Sequence, residues 1–393
     1  MNHIKDDMTD SLIMYGSQLD SEAITRTLAH IFKTNLANEE NSSQDDPNGQ
    51  GVRPTPICIW GLHGIGKTAV IKSFAQANGW KFRYCAPAQF EEMGDLHGLP
   101  VRSDPDPDVI GDETTIYMPP DWVPQEGEEG PGILLLDDLN RADDRILRGI
   151  MQLLQEFEMF SWKLPSKWQI VCTANPEGGD YSVSSMDDAM LTRMLHLTMT
   201  FDLKAWARWA SANGVDARGV AFVLTYPEVI TGKRTTPRTL TQFFAQIKTI
   251  ADLRKEIELV GILANSSLDS ITATTFIAFV NDDLQQLINP EDILDAPEWK
   301  PMAERIKVLA TGDGGAKRVD RIATICTRLY LELASPKYTP KESHSKNLVE
   351  FLMHGDLPND LRFSLHRDLV ALGGDIPALL RSAKLAKLIL GGI

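Results

Sequence analysis

The segment from residue 61 to residue 68 constrains the fold more than any other part of this sequence. It reads Gly-Leu-His-Gly-Ile-Gly-Lys-Thr, follows the apolar run 57–60 and opens a helix-like segment that closes at Gly79. A glycine-rich turn between a strand and a helix exposes successive backbone N–H groups at a helix N-terminus, where clustered negative charge binds. The alternative is a chance match to this spacing, which the position between strand and helix disfavours.

We therefore predict that this loop binds the phosphates of a nucleoside triphosphate. Lys67 is expected to reach the β- and γ-phosphate oxygens, and the Thr68 hydroxyl is expected to ligate Mg²⁺. The remaining predicted nucleotide contacts are Gly61, Leu62, His63, Gly64, Ile65 and Gly66.

Two adjacent carboxylates follow a second apolar run, residues 133–136. Ligands gather at the carboxyl ends of parallel strands, so Asp137 is expected to hold Mg²⁺ together with Thr68, and Asp138 to orient the attacking water. An ordinary cap of the helix that follows is the alternative for both acids.

The composition indicates a protein with more than one core and no nucleic acid as its main ligand. The chain has 393 residues, 43% of them hydrophobic, and a formal net charge of −15. That length allows two or three domains, and the acidic balance argues against a surface built to bind phosphate backbones. The four cysteines lie far apart without a CxxC pair, which favours reduced thiols in a cytoplasmic protein. We expect no signal peptide and no membrane span.

The patterning along the chain predicts an α/β core followed by helices. Short apolar runs at 57–60, 81–85, 133–136 and 169–173 are typical of parallel strands buried on both faces. An early helix is expected after Asp20 and Ser21, then a polar tether from about residue 38 to residue 54. The acidic stretch 101–130 is interpreted as a surface insertion, slightly more as a solvated loop than as a partner-binding element.

Beyond residue 201 the strand signals fade and helical patterns recur. They cover residues 215–224, 237–250, 267–287 and 303–333, and a polar break at 337–346 precedes two or three short helices from Asn347 onward.

Four motifs, in order along the chain, resemble those of the AAA+ ATPases of MoxR type. They are Asp-Asp-Leu-Asn-Arg-Ala at 137–142, Thr-Ala-Asn-Pro at 173–176, Leu-Thr-Arg-Met at 191–194 and Thr-Pro-Arg at 236–238. The resemblance covers about residues 55–287. It implies a P-loop AAA+ core with a parallel sheet flanked by helices, then an α-helical lid and additional C-terminal helices.

The resemblance also implies roles for three further residues. Asn175 matches sensor 1, Arg193 matches the arginine finger that acts on a neighbouring subunit, and Arg238 matches sensor 2. The implied division is an N-terminal helix and linker (1–54), an α/β nucleotide-binding core (55–203), a helical lid (204–290) and a C-terminal helical extension (291–393).

The implied activity is hydrolysis of ATP with Mg²⁺ by a homo-oligomer, a hexameric ring, which remodels or activates a protein partner. A protein with a von Willebrand factor A domain is the implied client. The absence of an NKxD-type guanine reader favours ATP over GTP. The aromatic residues Phe157, Phe160 and Trp162 precede sensor 1, and either gripping a client or packing in the core accounts for them.

One departure from the family pattern keeps other functions open. Asp138 stands where the family usually has glutamate, so hydrolysis is expected to be slower if the shorter side chain displaces the carboxylate from the water. The alternatives to a protein remodeller are a nucleic-acid motor or loader and a nucleotide-regulated scaffold with slow turnover.

Overall fold

The computed structural model describes residues 12–45, 54–103, 114–125, 127–178, 181–230, 234–283, 288–311, 317–335 and 338–391. The chain divides into two compact units, residues 1–202 and residues 203–393. Each unit is built around a core of its own.

A parallel six-stranded sheet forms the centre of the first unit. The strands of this unit are β1 (Ser17–Leu19), β2 (Ile57–Trp60), β3 (Lys81–Cys85), β4 (Leu99–Ser103), β5 (Thr114–Met118), β6 (Gly132–Leu136), β7 (Trp168–Ala174) and β8 (Leu195–Met199). The strand order in the sheet is β1-β8-β2-β7-β6-β3, and a separate antiparallel pair joins β4 to β5.

Helices cover both faces of this sheet, because successive strand residues point to opposite sides. In β2, Ile57 and Ile59 pack with the helices that precede and follow that strand, whereas Cys58 and Trp60 pack with the helix that follows β6. The helices of this unit are α1 (Ser21–Asp45), α2 (Lys67–Ala77), α3 (Met93–His97), α4 (Asp144–Glu156) and α5 (Asp188–Leu191). The predicted α/β class, a parallel sheet flanked by helices, is confirmed.

Two predictions for the first unit are wrong. The proposed tether from residue 38 is helical up to Asp45, because α1 is anchored where Glu39 accepts a hydrogen bond from the backbone N–H of Lys167. The solvated-loop interpretation of 101–130 is wrong because the stretch includes the end of β4 and all of β5, although β5 is exposed along its length, as a surface insertion would be. Within the same stretch, Glu128 binds Arg83 at 2.8 Å. Residues 46–53 of the tether and 104–113 of the insertion lie outside the described residues.

The second unit is helical throughout the part that the structure describes, and additional C-terminal helices are present as predicted. Its helices are α6 (Leu203–Ala212), α7 (Ala217–Thr225), α8 (Pro237–Ile247), α9 (Ile257–Ser267), α10 (Ser270–Ala278), α11 (Pro290–Leu294), α12 (Trp299–Ala310), α13 (Val319–Leu333), α14 (Glu342–Leu352), α15 (Asn359–Ala371), α16 (Ile376–Leu379) and α17 (Ala383–Gly391). Helix α13 contacts both α6 and α7, so residues on either side of position 290 pack together in this unit.

The helices of this unit differ from the sequence prediction in several places. The pattern at 303–333 is two helices, since α12 ends at Ala310 and α13 begins at Val319; residues 312–316 lie outside the described residues. Helices α6, α9 and α11 were not predicted, and α14 begins inside the expected polar break. In the described part of the chain, no helix is both long enough and apolar enough to cross a membrane.

Candidate functional site

The predicted phosphate loop connects β2 to α2 at the centre of the sheet. Gly66 has φ 102° at the start of α2, a backbone conformation that favours glycine. At Gly61 a Cβ atom would lie 2.7 Å from the carbonyl oxygen of Met199, so the close approach of β8 also requires glycine. The loop therefore has the geometry expected for backbone groups that approach a ligand closely.

Lys67, the first residue of α2, is buried over the loop. Its ammonium donates hydrogen bonds to the carbonyl oxygens of Gly61 at 2.7 Å and Leu62 at 3.2 Å, and to Oδ1 of Asn175 at 3.1 Å. The cation thus lies within the loop that it is predicted to serve, and the structure brings Asn175 to it.

Asp137 lies where β6 ends and accepts hydrogen bonds from three hydroxyl groups. The Thr68 hydroxyl is 2.9 Å from Oδ1, the Thr173 hydroxyl is 2.6 Å from Oδ1, and the Tyr84 hydroxyl is 3.2 Å from Oδ2. Partial burial, with the nearby Asp137 carboxylate, raises the pKa of Tyr84, so its hydroxyl stays a donor. The predicted pairing of Thr68 with Asp137 is present.

Asp138 adopts a left-handed backbone conformation with φ 52°, which non-glycine residues seldom adopt. Its backbone N–H donates to the Thr173 hydroxyl at 2.8 Å, and its Oδ1 accepts from Nδ2 of Asn175 at 2.9 Å. The Arg141 guanidinium lies 3.6 Å from its other oxygen. Asn175 therefore joins the predicted base, Asp138, to the predicted phosphate ligand, Lys67.

The capping alternative for these acids is wrong for helix α4. The side chain that caps α4 is Asp143, which accepts from the backbone N–H of Arg145. Asp138 precedes the short 3₁₀ turn 139–141 and makes no side-chain cap there.

Asn140 is a site residue for which the sequence indicated no individual role. It is fully buried, and its amide both donates to the carbonyl oxygen of Asn175 at 2.8 Å and accepts from the Asn175 backbone N–H at 3.0 Å. This bidentate contact fixes the end of β7 to the turn after β6. Tyr84 and Thr173 were likewise not predicted to contact Asp137.

The other predicted residues lie outside this hydrogen-bonded cluster. The Arg193 guanidinium binds Oε1 of Gln155 at 3.0 Å and the carbonyl oxygen of Ala189. Arg238 is exposed near the start of α8 in the second unit. His63, within the loop, is 3.2 Å from the Tyr181 hydroxyl, and the pKa of Tyr181 is raised by burial.

The aromatic residues before β7 divide into buried and exposed members. Phe157 and Trp162 belong to the core beneath the sheet, as the packing alternative predicts. Phe160 is 72% exposed and stacks on His97, with Tyr117 of β5 at a ring distance of 6.2 Å. Of the three, only Phe160 is exposed.

The residues present fit a nucleotide phosphate and a magnesium ion. Mg²⁺ prefers oxygen ligands, takes few of them from the protein and completes its shell with water and phosphate. The adjacent Thr68 hydroxyl and Asp137 carboxylate supply such ligands. The N-terminus of α2 and the Lys67 ammonium supply the positive potential that phosphate requires.

No protein-family model matches the chain, and no curated protein sequence matches it significantly. Among solved structures, the chain is similar to a point mutant of RuvB from Thermotoga maritima, with 12% identity, a TM-score of 0.35 and coverage of 95% of this chain and 91% of that one. The RuvB Holliday junction branch migration motor of the same organism gives 13% identity, a TM-score of 0.34 and coverage of 93% and 87%.

A candidate ATPase from Cytophaga hutchinsonii gives 11% identity, a TM-score of 0.32 and coverage of 94% of this chain and 88% of that one. Such low TM-scores carry no argument about fold or function. The strand order and the glycine-rich loop between β2 and α2 define the α/β fold of the first unit.

Proposed function

We propose that this protein is a magnesium-dependent ATP hydrolase of the AAA+ class. The observation that carries the proposal is the single hydrogen-bonded cluster that joins Lys67, Asn175 and Asp138 beside the pair Thr68–Asp137. A phosphate ligand, a metal ligand and a candidate base thereby lie together at the carboxyl ends of adjacent parallel strands, β2, β6 and β7.

Each residue has a task in the proposed reaction. Lys67 and the loop N–H groups bind the β- and γ-phosphates, and Thr68 and Asp137 hold Mg²⁺, which supplies charge neutralisation on the phosphates when bound. Asp138 orients the attacking water, and Asn175 places a neutral amide beside that water without adding charge. In this proposal Lys67 exchanges its contacts with the carbonyl oxygens of Gly61 and Leu62 for phosphate oxygens when the nucleotide binds.

We propose further that the active form is a homo-oligomer, a ring of MoxR type. In this proposal Arg193 leaves Gln155 of its own chain and contacts the transferring phosphoryl group in the neighbouring subunit. Arg238 acts as sensor 2. The ring uses ATP to remodel or activate a protein partner, and a protein with a von Willebrand factor A domain is the proposed client.

Mixing wild-type protein with the variant Arg193→Ala tests hydrolysis by an assembly. The variant alone should bind ATP with unchanged affinity and lose at least about a hundredfold in turnover, because the finger stabilises only the transition state. In mixtures, total turnover should fall more steeply than the fraction of wild-type subunits, because a wild-type subunit beside a variant lacks the neighbour's arginine. Arg148 is an exposed arginine of α4, and the variant Arg148→Ala is the control. Mixing it with the wild type should leave the turnover per subunit unchanged. Normal turnover by Arg193→Ala contradicts the role of this arginine.

A scaffold with slow turnover is the second candidate function, and the geometry of Asp138 favours it. The aspartate side chain is one methylene shorter than that of glutamate, and its carboxylate already accepts a hydrogen bond from Asn175 and pairs with Arg141. Turnover of the wild type beside Asp138→Glu separates the two functions. Turnover that rises about tenfold or more in Asp138→Glu, from a barely measurable wild-type rate, supports the scaffold. Wild-type turnover on the order of one per second supports the hydrolase.

A further inference from the structure

We propose that Tyr84 and Thr173 are positioning residues that fix the Asp137 carboxylate for Mg²⁺ and couple its placement to that of Asp138. The inference rests on the proposed function, because it assigns the metal to Asp137. It concerns two side chains to which neither the phosphate-loop motif nor the acidic pair assigns a role.

Thr173 carries the coupling, because its one hydroxyl serves both carboxylate residues. The hydroxyl donates to Oδ1 of Asp137 at 2.6 Å and accepts from the backbone N–H of Asp138 at 2.8 Å. Thr173 is fully buried in β7, so its rotamer is set by packing. A hydroxyl has one proton to donate, and here that proton is directed to the carboxylate.

The hydrogen bond from the Asp138 N–H to Thr173 matters because it helps to hold the left-handed backbone of Asp138. A non-glycine residue at φ 52° stays in that conformation only when its surroundings hold it there. Removing the Thr173 hydroxyl leaves the Asp138 N–H without this acceptor and the Asp137 carboxylate without its shortest donor. Asp137 is then less well placed to bind Mg²⁺, and Asp138 is less firmly held in its backbone conformation.

Tyr84 acts on the other oxygen of Asp137, from the opposite side of β6. Strand β6 lies between β7, which bears Thr173, and β3, which bears Tyr84. The Tyr84 hydroxyl is 3.2 Å from Oδ2, and 48% of the residue is exposed. The two donors therefore hold the carboxylate between them and resist its rotation, while Thr68 contacts its two oxygens at 2.9 Å and 3.1 Å.

This arrangement is the one that second-layer donors adopt around a metal-binding carboxylate, where their loss costs about tenfold to a hundredfold in metal affinity. We expect the buried Thr173 to have the larger effect. The half-exposed Tyr84 contributes less, because water replaces its hydroxyl in part.

The experiment titrates free Mg²⁺ at saturating ATP and follows phosphate release by Tyr84→Phe, Thr173→Val and Thr173→Ser. The half-saturating Mg²⁺ concentration should rise about threefold to tenfold in Tyr84→Phe and at least about tenfold in Thr173→Val. Thr173→Ser keeps the hydroxyl and should restore the wild-type value within about twofold. Tyr117→Phe removes a tyrosine hydroxyl from β5, away from Asp137, and is the matched control.

A second readout separates this inference from the proposed hydrolysis. Equilibrium binding of a fluorescent ATP analogue, titrated with Mg²⁺, reports metal binding whether or not ATP is cleaved. Affinity for the analogue in EDTA should be unchanged in all variants. The half-saturating Mg²⁺ concentration for analogue binding should rise in Tyr84→Phe and rise further in Thr173→Val. A lower melting temperature with unchanged Mg²⁺ dependence would show a purely structural role and overturn the inference. A lower half-saturating Mg²⁺ in Tyr84→Phe would overturn it too, because Tyr84 would then compete with the metal.

Discussion

Two clusters of hydrogen-bonded polar side chains, one in each unit, serve different purposes. The nucleotide-site cluster consists of Lys67, Thr68, Asp137, Asp138 and Asn175, with the side chains that contact them. The helix-joining cluster of the second unit consists of Asp295, Lys341, His344 and Tyr338. Both combine carboxylates with donors, but they differ in what the charged groups contact.

In the helix-joining cluster the opposite charges are paired with each other. Asp295 follows α11 and binds Lys341 at 2.8 Å and His344 at 3.0 Å, while the Tyr338 hydroxyl is 2.7 Å from the other nitrogen of His344. Burial raises the pKa of Tyr338 to about 12, so the phenol donates and His344 donates in turn to Asp295. The cluster joins the end of α11 to the start of α14.

In the nucleotide-site cluster the Lys67 ammonium donates hydrogen bonds to two backbone carbonyls and to the side-chain amide of Asn175. Those acceptors are uncharged, so a phosphate competes for the cation with them more easily than it would with a carboxylate. Asp138 is also held in a strained backbone conformation. A phosphate can replace these acceptors of Lys67, as a reaction site requires, whereas the ion pair between Lys341 and Asp295 joins two helices.

The largest expected effect is that of Lys67→Ala. ATP turnover should fall on the order of a thousandfold, because the variant loses the phosphate-binding cation and much of the transition-state stabilisation. The melting temperature should change by only a few degrees. Phosphate release and thermal unfolding measure the two effects, and Lys72→Ala, an exposed lysine of the same helix, is the control. A large loss of stability with retained turnover would make Lys67 a structural residue and remove the contrast.

Asn140→Ala should reduce both turnover and stability. The variant leaves the backbone N–H and carbonyl of Asn175 without their buried partner, which costs about 2 kcal/mol of unfolding free energy. The displaced Asn175 should lower turnover by about tenfold or more. Denaturant titration and steady-state kinetics measure these effects. Unchanged kcat would show that Asn175 is positioned without Asn140.

His344→Ala should reduce stability alone. The substitution removes a buried ring and its bonds to Asp295 and Tyr338, at a cost of about 2 kcal/mol or more. Nucleotide affinity per folded molecule should stay at the wild-type value. Denaturant titration of the full chain with parallel nucleotide binding measures both. A specific loss of nucleotide affinity would show that the cluster is more than a structural joint.

The smallest effect is expected for Asp295→Asn, and it depends on pH. Hydrogen bonds from Lys341 and then His344 lower the pKa of Asp295. A carboxyl whose pKa is lowered by folding stabilises the fold above its unfolded pKa of about 3.9, and this contribution is lost as pH falls through the folded pKa. Because Asp295 is partly exposed, the free energy of unfolding of the wild type should exceed that of Asp295→Asn by less than about 1 kcal/mol at pH 7.

The stability difference between wild type and Asp295→Asn should shrink below about pH 4. Denaturant titrations of both proteins at pH 7 and pH 3.5 measure it. A difference that grows as the pH falls would contradict the assignment of a lowered pKa to Asp295.

The sequence predicted the buried parts of the fold better than its edges. Strands β2, β6 and β7 are buried at every residue, as their apolar runs predicted. Strand β3 was also found, but it lies at the edge of the sheet and is only partly buried, so the expectation of burial on both faces is wrong there. Strand β1 has only three residues, and β8 begins with the exposed Leu195 and half-buried His196 before its buried residues. These two strands are defined by their pairing with each other in the sheet. The order of apolar and polar residues within each short segment does not reveal that pairing.

For the site, the sequence predicted which residues take part but not all of their contacts. Lys67, Thr68, Asp137, Asp138 and Asn175 lie within one cluster, as their motifs indicated. The contact of Tyr84 with Asp137 spans 53 residues of sequence and depends on β3 pairing with β6. The strand order was needed to find it, as it was for Thr173.

Magnesium-dependent release of phosphate from ATP by the wild-type chain tests the central claim most directly. Turnover should require Mg²⁺, stop in EDTA and fall on the order of a thousandfold in Lys67→Ala, while Lys72→Ala should retain wild-type turnover. Metal-independent turnover, or equal turnover by Lys67→Ala, would contradict the assignment of the cluster around Lys67 and Asp137 as the site of ATP hydrolysis.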